Sequence, residues 1–238
     1  MLDTSTIENW DAIVAAGDYS GEVKLNINGV DYYDELREVR PYGRAFESNP
    51  SIGNAFAGEL NVRMKQPGET FPRMAKIMVY TRISNTQLVS GWLFTGNYYI
   101  DTRQIDKSMN IMTIHAYDAM MFAEADYPSS TLEWSSTSPN ARAVLDEIAS
   151  TMGVELSDAT KAAIPTTTPY IVGFPADLSM RETLGSIAAM YGGNFIINKE
   201  GKLHLIGAAD LPEESFYLID EKGNYITVGG LRILLRSA

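Results

Sequence analysis

Hydrophobic and polar residues alternate along much of the first half of the chain, and a period of two predicts β-strands. Residues 23–27 follow this pattern, and the Asn28-Gly29 pair after them is a strong signal for a two-residue hairpin turn that leads back through 30–32. The same pattern predicts further strands at 35–46, with a break near Pro41, at 60–64 and at 75–83. The first half of the chain is therefore predicted to be rich in β-structure.

The segment 91–121 predicts a long hairpin whose second strand runs into a helix. Phe94, Tyr98 and Ile100 are expected on one face of the first strand because of the period of two. A short polar turn suits the hairpin connection, and the pattern changes from strand toward helix at 118–121. About seven strands with short connections and no long helix between them favour an antiparallel sheet or barrel.

Two helices are predicted from start and stop signals in the N-terminal segment and in the middle of the chain. A Ser-x-x-Glu capping box at 5–8 begins the first, and Gly17 is expected to end it. The second is predicted to have Ser138 as its cap and Pro139 in its first turn, and to end at Gly153.

A third helix and a hairpin are predicted further along the chain. Ser179 and Glu182 form another capping box, and the helix that they begin is expected to stop at Gly192. A closing hairpin follows at 195–205. The polar connector at 127–139, with two prolines, marks a domain edge.

The predicted fold class is α+β, mainly β, with an antiparallel barrel-like domain, an inserted small α/β module and the start of a second β domain. In that last part we expect a hairpin between 217–219 and 225–228 and a terminal strand at 231–235. The predicted domains are an N-terminal helix at 1–19, a first β-barrel-like domain at 20–126, a helix-rich α/β module at 127–206 and an apparently incomplete β domain at 207–238.

Composition and charge narrow the classes of function. The 238 residues, 45% of them hydrophobic, suffice for one large or two small domains, and the absence of Cys excludes disulfides and thiolate ligands. A formal net charge of −11 argues against a surface that binds a phosphate backbone. No apolar run of about 18 residues and no secretory signal are visible, so we expect no membrane span and synthesis in a cytoplasm.

No signature of a nucleophile, a metal site or a nucleotide-binding loop stands out, so we predict no catalytic residue, no cofactor and no metal ligand. The two histidines, His115 and His204, lie in predicted strands without the close spacing of zinc ligands. We expect His115 to face solvent or to be satisfied within the sheet, and His204 to lie on the polar side of a hairpin.

Two carboxylate pairs leave an enzymatic alternative open. Asp101 with Asp106, or Glu124 with Asp126, could approach the separations used in glycoside hydrolysis. Asp101 and Asp106 flank a turn, where an Asp side chain commonly bonds the backbone near it, so a structural role is favoured for both.

An aromatic cluster leaves a second alternative open, a carbohydrate-binding module. Trp92 and the Tyr98-Tyr99 pair could form a platform on which a sugar ring stacks. Strand alternation places one tyrosine of the pair in the core and leaves the other exposed, which argues against a continuous platform.

Three segments resemble the hub, or tail-associated, proteins of long-tailed bacteriophages and prophages. They are the hairpin that runs into Ala-Tyr-Asp-Ala-Met-Met at 91–121, a strand-entry motif at 51–62, and a helix-to-hairpin module at 181–203. Together the similarity covers roughly residues 20–206. It implies a virion structural protein at the distal end of the tail, in a homotrimeric ring that joins tube to tip and leaves a passage for DNA.

The resemblance also implies partners and a location. The expected partners are other copies of the chain and other tail proteins, namely the distal tail or tube protein, the tape measure protein, and tip or fibre proteins. DNA is expected only as passing cargo. Hub proteins of this kind usually continue into a second barrel-like domain, so we expect that this chain is a short version, a truncated piece of a longer chain, or a protein whose partner completes its last sheet.

Overall fold

The structure of the chain is a computed structural model. It describes residues 7–43, 51–68, 70–128, 139–172 and 177–207, and four short strands after residue 215. Its largest element is a seven-stranded antiparallel sheet with the strand order β2-β1-β6-β7-β8-β5-β3. These strands are β1 (Ser20–Ile27), β2 (Val30–Tyr32), β3 (Leu36–Tyr42), β5 (Glu59–Lys65), β6 (Lys76–Ser84), β7 (Leu93–Asp106) and β8 (Ile111–Tyr117).

All seven strands contribute to one apolar core, which we call the sheet core. Its fully buried members include Leu25, Leu60, Ile77, Ile100 and Ile114. A single flat sheet cannot bury its own face, so the sheet curves around this core. The two edge strands, β2 and β3, are consecutive in the chain, and the hydrogen-bond ladder does not close between them. The predicted α+β, mainly β class is confirmed, and the sheet is barrel-like in its curvature only.

The first hairpin forms as its turn chemistry predicts. Asn28 and Gly29 connect β1 to β2 with φ angles of 53° and 89°, so both adopt left-handed backbone. This geometry matches the right-handed twist of paired strands, and it is the reason that Asn-Gly is a preferred hairpin turn. The Asn26 side chain accepts a hydrogen bond from the Gly29 N–H at 3.1 Å and supports the turn.

A β-bulge in β7 overturns the predicted face of Phe94. The register passes from Val79 opposite Gly96 to Tyr80 opposite Phe94, so Thr95 is an extra residue on its strand. An extra residue reverses the alternation of side chains on either side of it. Phe94 therefore lies beside Tyr80, with ring centroids 5.5 Å apart, on the face away from Val79, which is buried in the sheet core.

The predicted break at Pro41 does not occur. Pro41 is paired within β3, opposite Leu60. The strand is at the edge of the sheet, bonded to β5 alone, and a proline is tolerated there because one side of the strand needs no N–H donor. Of the predicted strand at 35–46, residues 44–46 lie outside the described residues.

The second half of the described chain, together with residues 55–56 from the first half, forms a small α/β module. It contains a 3-10 helix (Ala119–Glu124), helices α2 (Ala141–Met152), α3 (Asp158–Ala163) and α4 (Met180–Met190), and a three-stranded sheet of β10 (Leu203–Gly207), β9 (Gly193–Ile197) and β4 (Ala55–Phe56). Its separate core, the module core, includes Met120, Leu145, Ile148, Leu184 and Phe195. The sequence did not predict α3 or β4.

Strand β4 comes from the 51–62 motif, which we had expected to enter the first barrel domain. Ala55 and Phe56 instead pair in parallel with Phe195 and Ile196 of the module. After β3, the chain rejoins the seven-stranded sheet only from Glu59 onward. The chain therefore enters the module early, returns to the sheet, and enters the module again after β8.

Two of the predicted helix starts are wrong. Helix α1 (Trp10–Ala16) follows Asn9, and its buried residue is Ile13, although Gly17 ends it as predicted. Ser5 lies outside the described residues. Helix α2 is capped by Asn140, whose side chain accepts a hydrogen bond from the Ala143 N–H. Pro139 therefore precedes the cap and lies outside the helix. Ser138 also lies outside the described residues.

The other helix predictions are confirmed. Helix α4 has the predicted capping box: the Glu182 N–H donates to the Ser179 hydroxyl, and the Glu182 carboxylate accepts from the Ser179 N–H. Gly153 ends α2 in left-handed backbone, and the predicted closing hairpin is β9 with β10.

The last four strands pair differently from the prediction. Strand β11 (Phe216–Tyr217) pairs with β14 (Leu234–Leu235), and β12 (Thr227–Val228) pairs with β13 (Leu231–Arg232). The expected hairpin between 217–219 and 225–228 is absent from these described pairings. No helix among the described residues is both long enough and apolar enough to cross a membrane.

Candidate functional site

A cleft of about 450 Å³ lies where the seven-stranded sheet meets the α/β module. Strands of the sheet and the 3-10 helix and α4 of the module all contribute side chains to it. The lining residues are Tyr42, Phe56, Ala57, Glu59, Arg73, Asp101, Tyr117, Met121, Glu124 and Arg181. Aromatic walls and charged side chains thus share one concave surface, which is the usual character of a binding site.

Two arginines of the cleft are each paired with a carboxylate. The Arg73 guanidinium donates to Asp101 at 2.9 Å, and Arg181 on α4 donates to Glu124 on the 3-10 helix. Arg181 also donates to the main-chain oxygen of Ala55 at 2.8 Å. The Arg181 side chain therefore ties α4 to the 3-10 helix and to β4, and both carboxylates already have a cationic partner.

Tyr117 lies among the acidic groups of the cleft. Burial raises the pKa of its phenol, and the nearby carboxylates of Glu59 and Asp101 raise it further. The Tyr117 ring packs edge-on against the His115 ring, with centroids 4.7 Å apart. The His115 Nε2 lies 3.5 Å from the Glu59 carboxylate. The phenol therefore stays neutral and can act as a hydrogen-bond donor.

Asp118, directly after β8, is a buried carboxyl beside this cleft. Its Oδ1 accepts from the Met120 N–H at 2.9 Å and caps the 3-10 helix, and its Oδ2 accepts from the Gly58 N–H at 2.7 Å. Burial raises the pKa of this carboxyl to about 7, although the two N–H donors and Arg181 act in the opposite direction. Asp118 was not among the candidate site residues predicted from the sequence. The one feature that could have indicated it is an Asp at the point where a strand changes to a helix.

Neither carboxylate pair of the enzymatic alternative lies together in this cleft. Asp106 lies in the β7–β8 turn, where it accepts from the Ser108 N–H at 2.9 Å, the Ser108 hydroxyl at 2.6 Å and the Met109 N–H at 3.1 Å. These hydrogen bonds lower the pKa of Asp106, and the bond from the Ser108 hydroxyl has the largest effect. Asp126 does not line the cleft. The residues that do share the cleft are Asp101 and Glu124, one from each candidate pair.

Both histidines have polar neighbours. The Nδ1 of His204 lies 2.8 Å from the Ser157 hydroxyl, so the imidazole is tied to the cap of α3. His115 faces Glu59 as described above. Within the described ranges, no group of three or more His, Asp or Glu side chains is arranged to hold a metal ion.

The aromatic residues do not form a continuous platform. The Trp92 ring lies over two cations, with the Lys24 Nζ 5.0 Å and the Arg82 Cζ 4.5 Å from the ring centroid. Tyr99 packs edge-on against Phe122, with centroids 4.8 Å apart, and Tyr98 packs against the sheet core. The rings are thus engaged by other parts of the chain.

Comparisons with known proteins show a likeness of fold. No family model matches the chain, and no curated protein matches its sequence. Among solved structures, the prophage MuSo2 43 kDa tail protein from Shewanella oneidensis is 16% identical with a TM-score of 0.52, and the match covers 88% of this chain and 61% of that one. A tail protein from Neisseria meningitidis MC58 is 12% identical with a TM-score of 0.49, over 87% and 53%.

The chain therefore has the fold of a prophage tail protein and spans about three fifths of the length of the Shewanella one. The likeness at 16% identity concerns the fold alone and not the residues of any site.

Proposed function

We propose that this chain is a structural protein of a phage or prophage tail, and specifically part of the hub at the distal end. In this role it forms a ring that joins the tail tube to the tip and leaves a channel for DNA. The observation that carries the proposal is the fold likeness to the Shewanella prophage tail protein over 88% of this chain. The three resembling segments in the sequence support it independently.

Open sheet edges support assembly into a ring. The strands β2 and β3 are the two edges of the seven-stranded sheet, and unpaired edges are either protected or paired with another chain. Pairing between subunits would use these edges and close a ring. We propose three subunits, on the basis of the resemblance to hub proteins, with the tube, tape measure, tip and fibre proteins as further partners.

The proposal keeps the predicted division of the chain, with boundaries at 19, 126 and 206. Residues 51–57 then connect the first domain to the module, because their strand β4 pairs with β9. Two separate apolar cores support two units, and the module core also includes Ala55, Met120 and Ala123 from before residue 127. Limited proteolysis whose stable fragments begin or end well inside the first domain or the module, and not near 126 or 206, would contradict the division.

No enzymatic activity is part of the proposal. The two carboxylates that share the cleft, Asp101 and Glu124, are each paired with an arginine, which suits a structural ion-pair network between sheet and module. A glycosidase needs two facing carboxyls, one as the proton donor and one as the nucleophile or base, whereas these two carboxylates are each bonded to an arginine.

Light scattering and native mass spectrometry across a salt series test the ring. Three chains of 26.2 kDa give a particle of about 79 kDa with a formal charge of three times −11. Like charges repel, so the ring is expected to dissociate more at low salt and to tighten as screening increases. A monomer at every salt and concentration, also for a chain extended at its C-terminus, would contradict the trimer.

The tail location has its own test. Purified phage or induced prophage particles are analysed by mass spectrometry, and the protein is located with gold-labelled antibody under the electron microscope. The hub proposal predicts label at the distal end of the tail. Label along the whole tube would support a tail protein but exclude the hub, and absence from particles would exclude both.

A further inference from the structure

Three side chains form a row across the sheet at the cleft. Tyr42, the last residue of β3, lies opposite Glu59, and Glu59 lies opposite Tyr117, the last residue of β8. Residues directly opposite each other in an antiparallel pair point to the same face, with Cβ atoms about 5 Å apart. The Glu59 carboxylate is therefore flanked by two tyrosine rings, and all three side chains line the cleft.

Glu59 differs from the other carboxylates of the cleft in its charge balance. Asp101 and Glu124 are each bonded to one of the two arginines of the lining. Within the described ranges, the Glu59 carboxylate has only the His115 imidazole as an ion-pair partner, and an imidazole is a cation only when it is protonated. The lining thus sets three carboxylates against two guanidinium groups. The Glu59 side chain is 39% exposed, so a ligand can reach it.

These groups favour a cation over other ligands. An anion would meet a surplus of carboxylates, because both guanidinium groups already have a carboxylate partner. A neutral ligand that covered Glu59 would remove water from its charge without supplying an opposite charge, which is costly. A cation compensates the carboxylate, and the faces of the two tyrosine rings attract a cation as well.

We propose that the cleft binds a lysine or arginine side chain of a partner protein, with Glu59 as its counter-ion and Tyr42 and Tyr117 as aromatic walls. A volume of about 450 Å³ suits one long side chain and the main chain on either side of it. A basic segment of another protein also complements the net charge of −11, whereas a second copy of this chain brings the same negative charge. The inference does not depend on the proposed tail function.

Titration with short peptides, followed by NMR of the isotope-labelled protein, measures this binding. The probes are acetylated and amidated peptides of Gly and Ser with Lys, Arg, Gln or Glu at the centre, used at about pH 8, where an ordinary imidazole is neutral. The Lys and Arg peptides are expected to bind about tenfold more tightly than the Gln peptide, because a charge-assisted bond to the carboxylate is gained. The amide signals of Glu59 and Tyr117 should shift, and added salt should weaken the binding.

Three results of this titration would overturn the proposal. They are equal binding of the Lys and Gln peptides, tighter binding of the Glu peptide, and no binding of the Lys and Arg peptides at about 10 mM.

Variants locate the binding at the cleft. Glu59→Gln keeps the shape of the side chain and removes its charge, so the preference for the Lys peptide over the Gln peptide should disappear. Glu22→Gln is the matched control: it removes the same charge from β1, which three strands separate from β5, and it does not line the cleft. Tyr42→Ala should weaken binding of the Lys peptide about two- to fivefold through the lost ring. A preference that survives in Glu59→Gln, or that Glu22→Gln also abolishes, would contradict the assignment.

Two further measurements distinguish other occupants of the cleft. If a second copy of the chain filled it, Glu59→Gln would change the association state in light scattering and Glu22→Gln would not. If the cleft were a glycan site, chitotriose would bind more tightly than the Lys peptide and shift the same amides. Either result would overturn the proposal, and an unchanged association state with no response to chitotriose is expected.

Discussion

Gly58 and Asp118 are joined by two hydrogen bonds across 60 residues of sequence, one in each direction. The contact is so close that a Cβ atom on Gly58 would lie 2.7 Å from the Asp118 Oδ2. Glycine is therefore required at position 58 because the Asp118 carboxylate approaches so closely. A left-handed backbone is not the reason, since the φ of Gly58 lies outside that region.

The first prediction is that Gly58→Ala destabilises the protein by about 1–3 kcal/mol, because the added methyl group forces the buried carboxylate away from its donor. Denaturant unfolding measures the change. Gly21→Ala is the matched control, since a Cβ on Gly21 meets nothing within 4 Å, and it should change stability by less than about 0.5 kcal/mol. Equal stability of both variants would contradict the close contact.

The second prediction concerns the capping box of α4. Ser179→Ala removes the hydroxyl that accepts from the Glu182 N–H at 3.2 Å, so it should cost on the order of 1 kcal/mol. Thermal unfolding checks this, with Ser186→Ala on the exposed side of the same helix as the control. An unchanged melting temperature for Ser179→Ala would mean that this cap contributes nothing to stability.

The capping box also has an expected pH dependence. The N–H and hydroxyl of Ser179 lower the pKa of Glu182, so this carboxylate stabilises the fold above its ordinary pKa of 4.5. That contribution is lost as pH falls below 4.5 through the lower folded value. Glu182→Gln should therefore differ from the unaltered protein at pH 7 and approach it at low pH, as followed by thermal unfolding. A difference that stays constant over this range would contradict the assignment.

The fourth prediction is that the purified protein does not degrade cell walls or glycans. Asp106 is engaged in its turn, and Asp101 is engaged with Arg73. Release of peptidoglycan or oligosaccharide fragments, measured with and without Asp101→Asn and Asp106→Asn, tests it. Activity that either substitution abolishes in a folded protein would favour the hydrolase.

The fifth prediction is that Trp92 stabilises the sheet and does not bind sugar. Trp92→Ala removes the contacts with Lys24 and Arg82 and should cost about 1–2 kcal/mol. Glycan-array binding is expected to be absent before and after the change. Binding that is lost in Trp92→Ala or Tyr99→Ala, with the fold intact, would favour a carbohydrate-binding module instead.

Local features of the fold were predictable from the sequence, because their causes lie within a few residues. The Asn28-Gly29 turn needs left-handed backbone at both positions, and these residue types tolerate it. The Ser179 capping box joins groups three residues apart. Strand alternation likewise predicted most of the seven-stranded sheet and its mainly antiparallel class.

Only the tertiary structure decided the features that depend on distant partners. The bulge at Thr95 that reverses Phe94 arises from pairing with β6, and β4 forms only because β9, some 140 residues later, lies beside it. The candidate functional site also depends on residues that are far apart in the sequence. Burial of Asp118 and the pairing of Asp101 with Arg73 follow from how separate elements meet, because desolvation and charge pairing depend on distance in space and not along the chain.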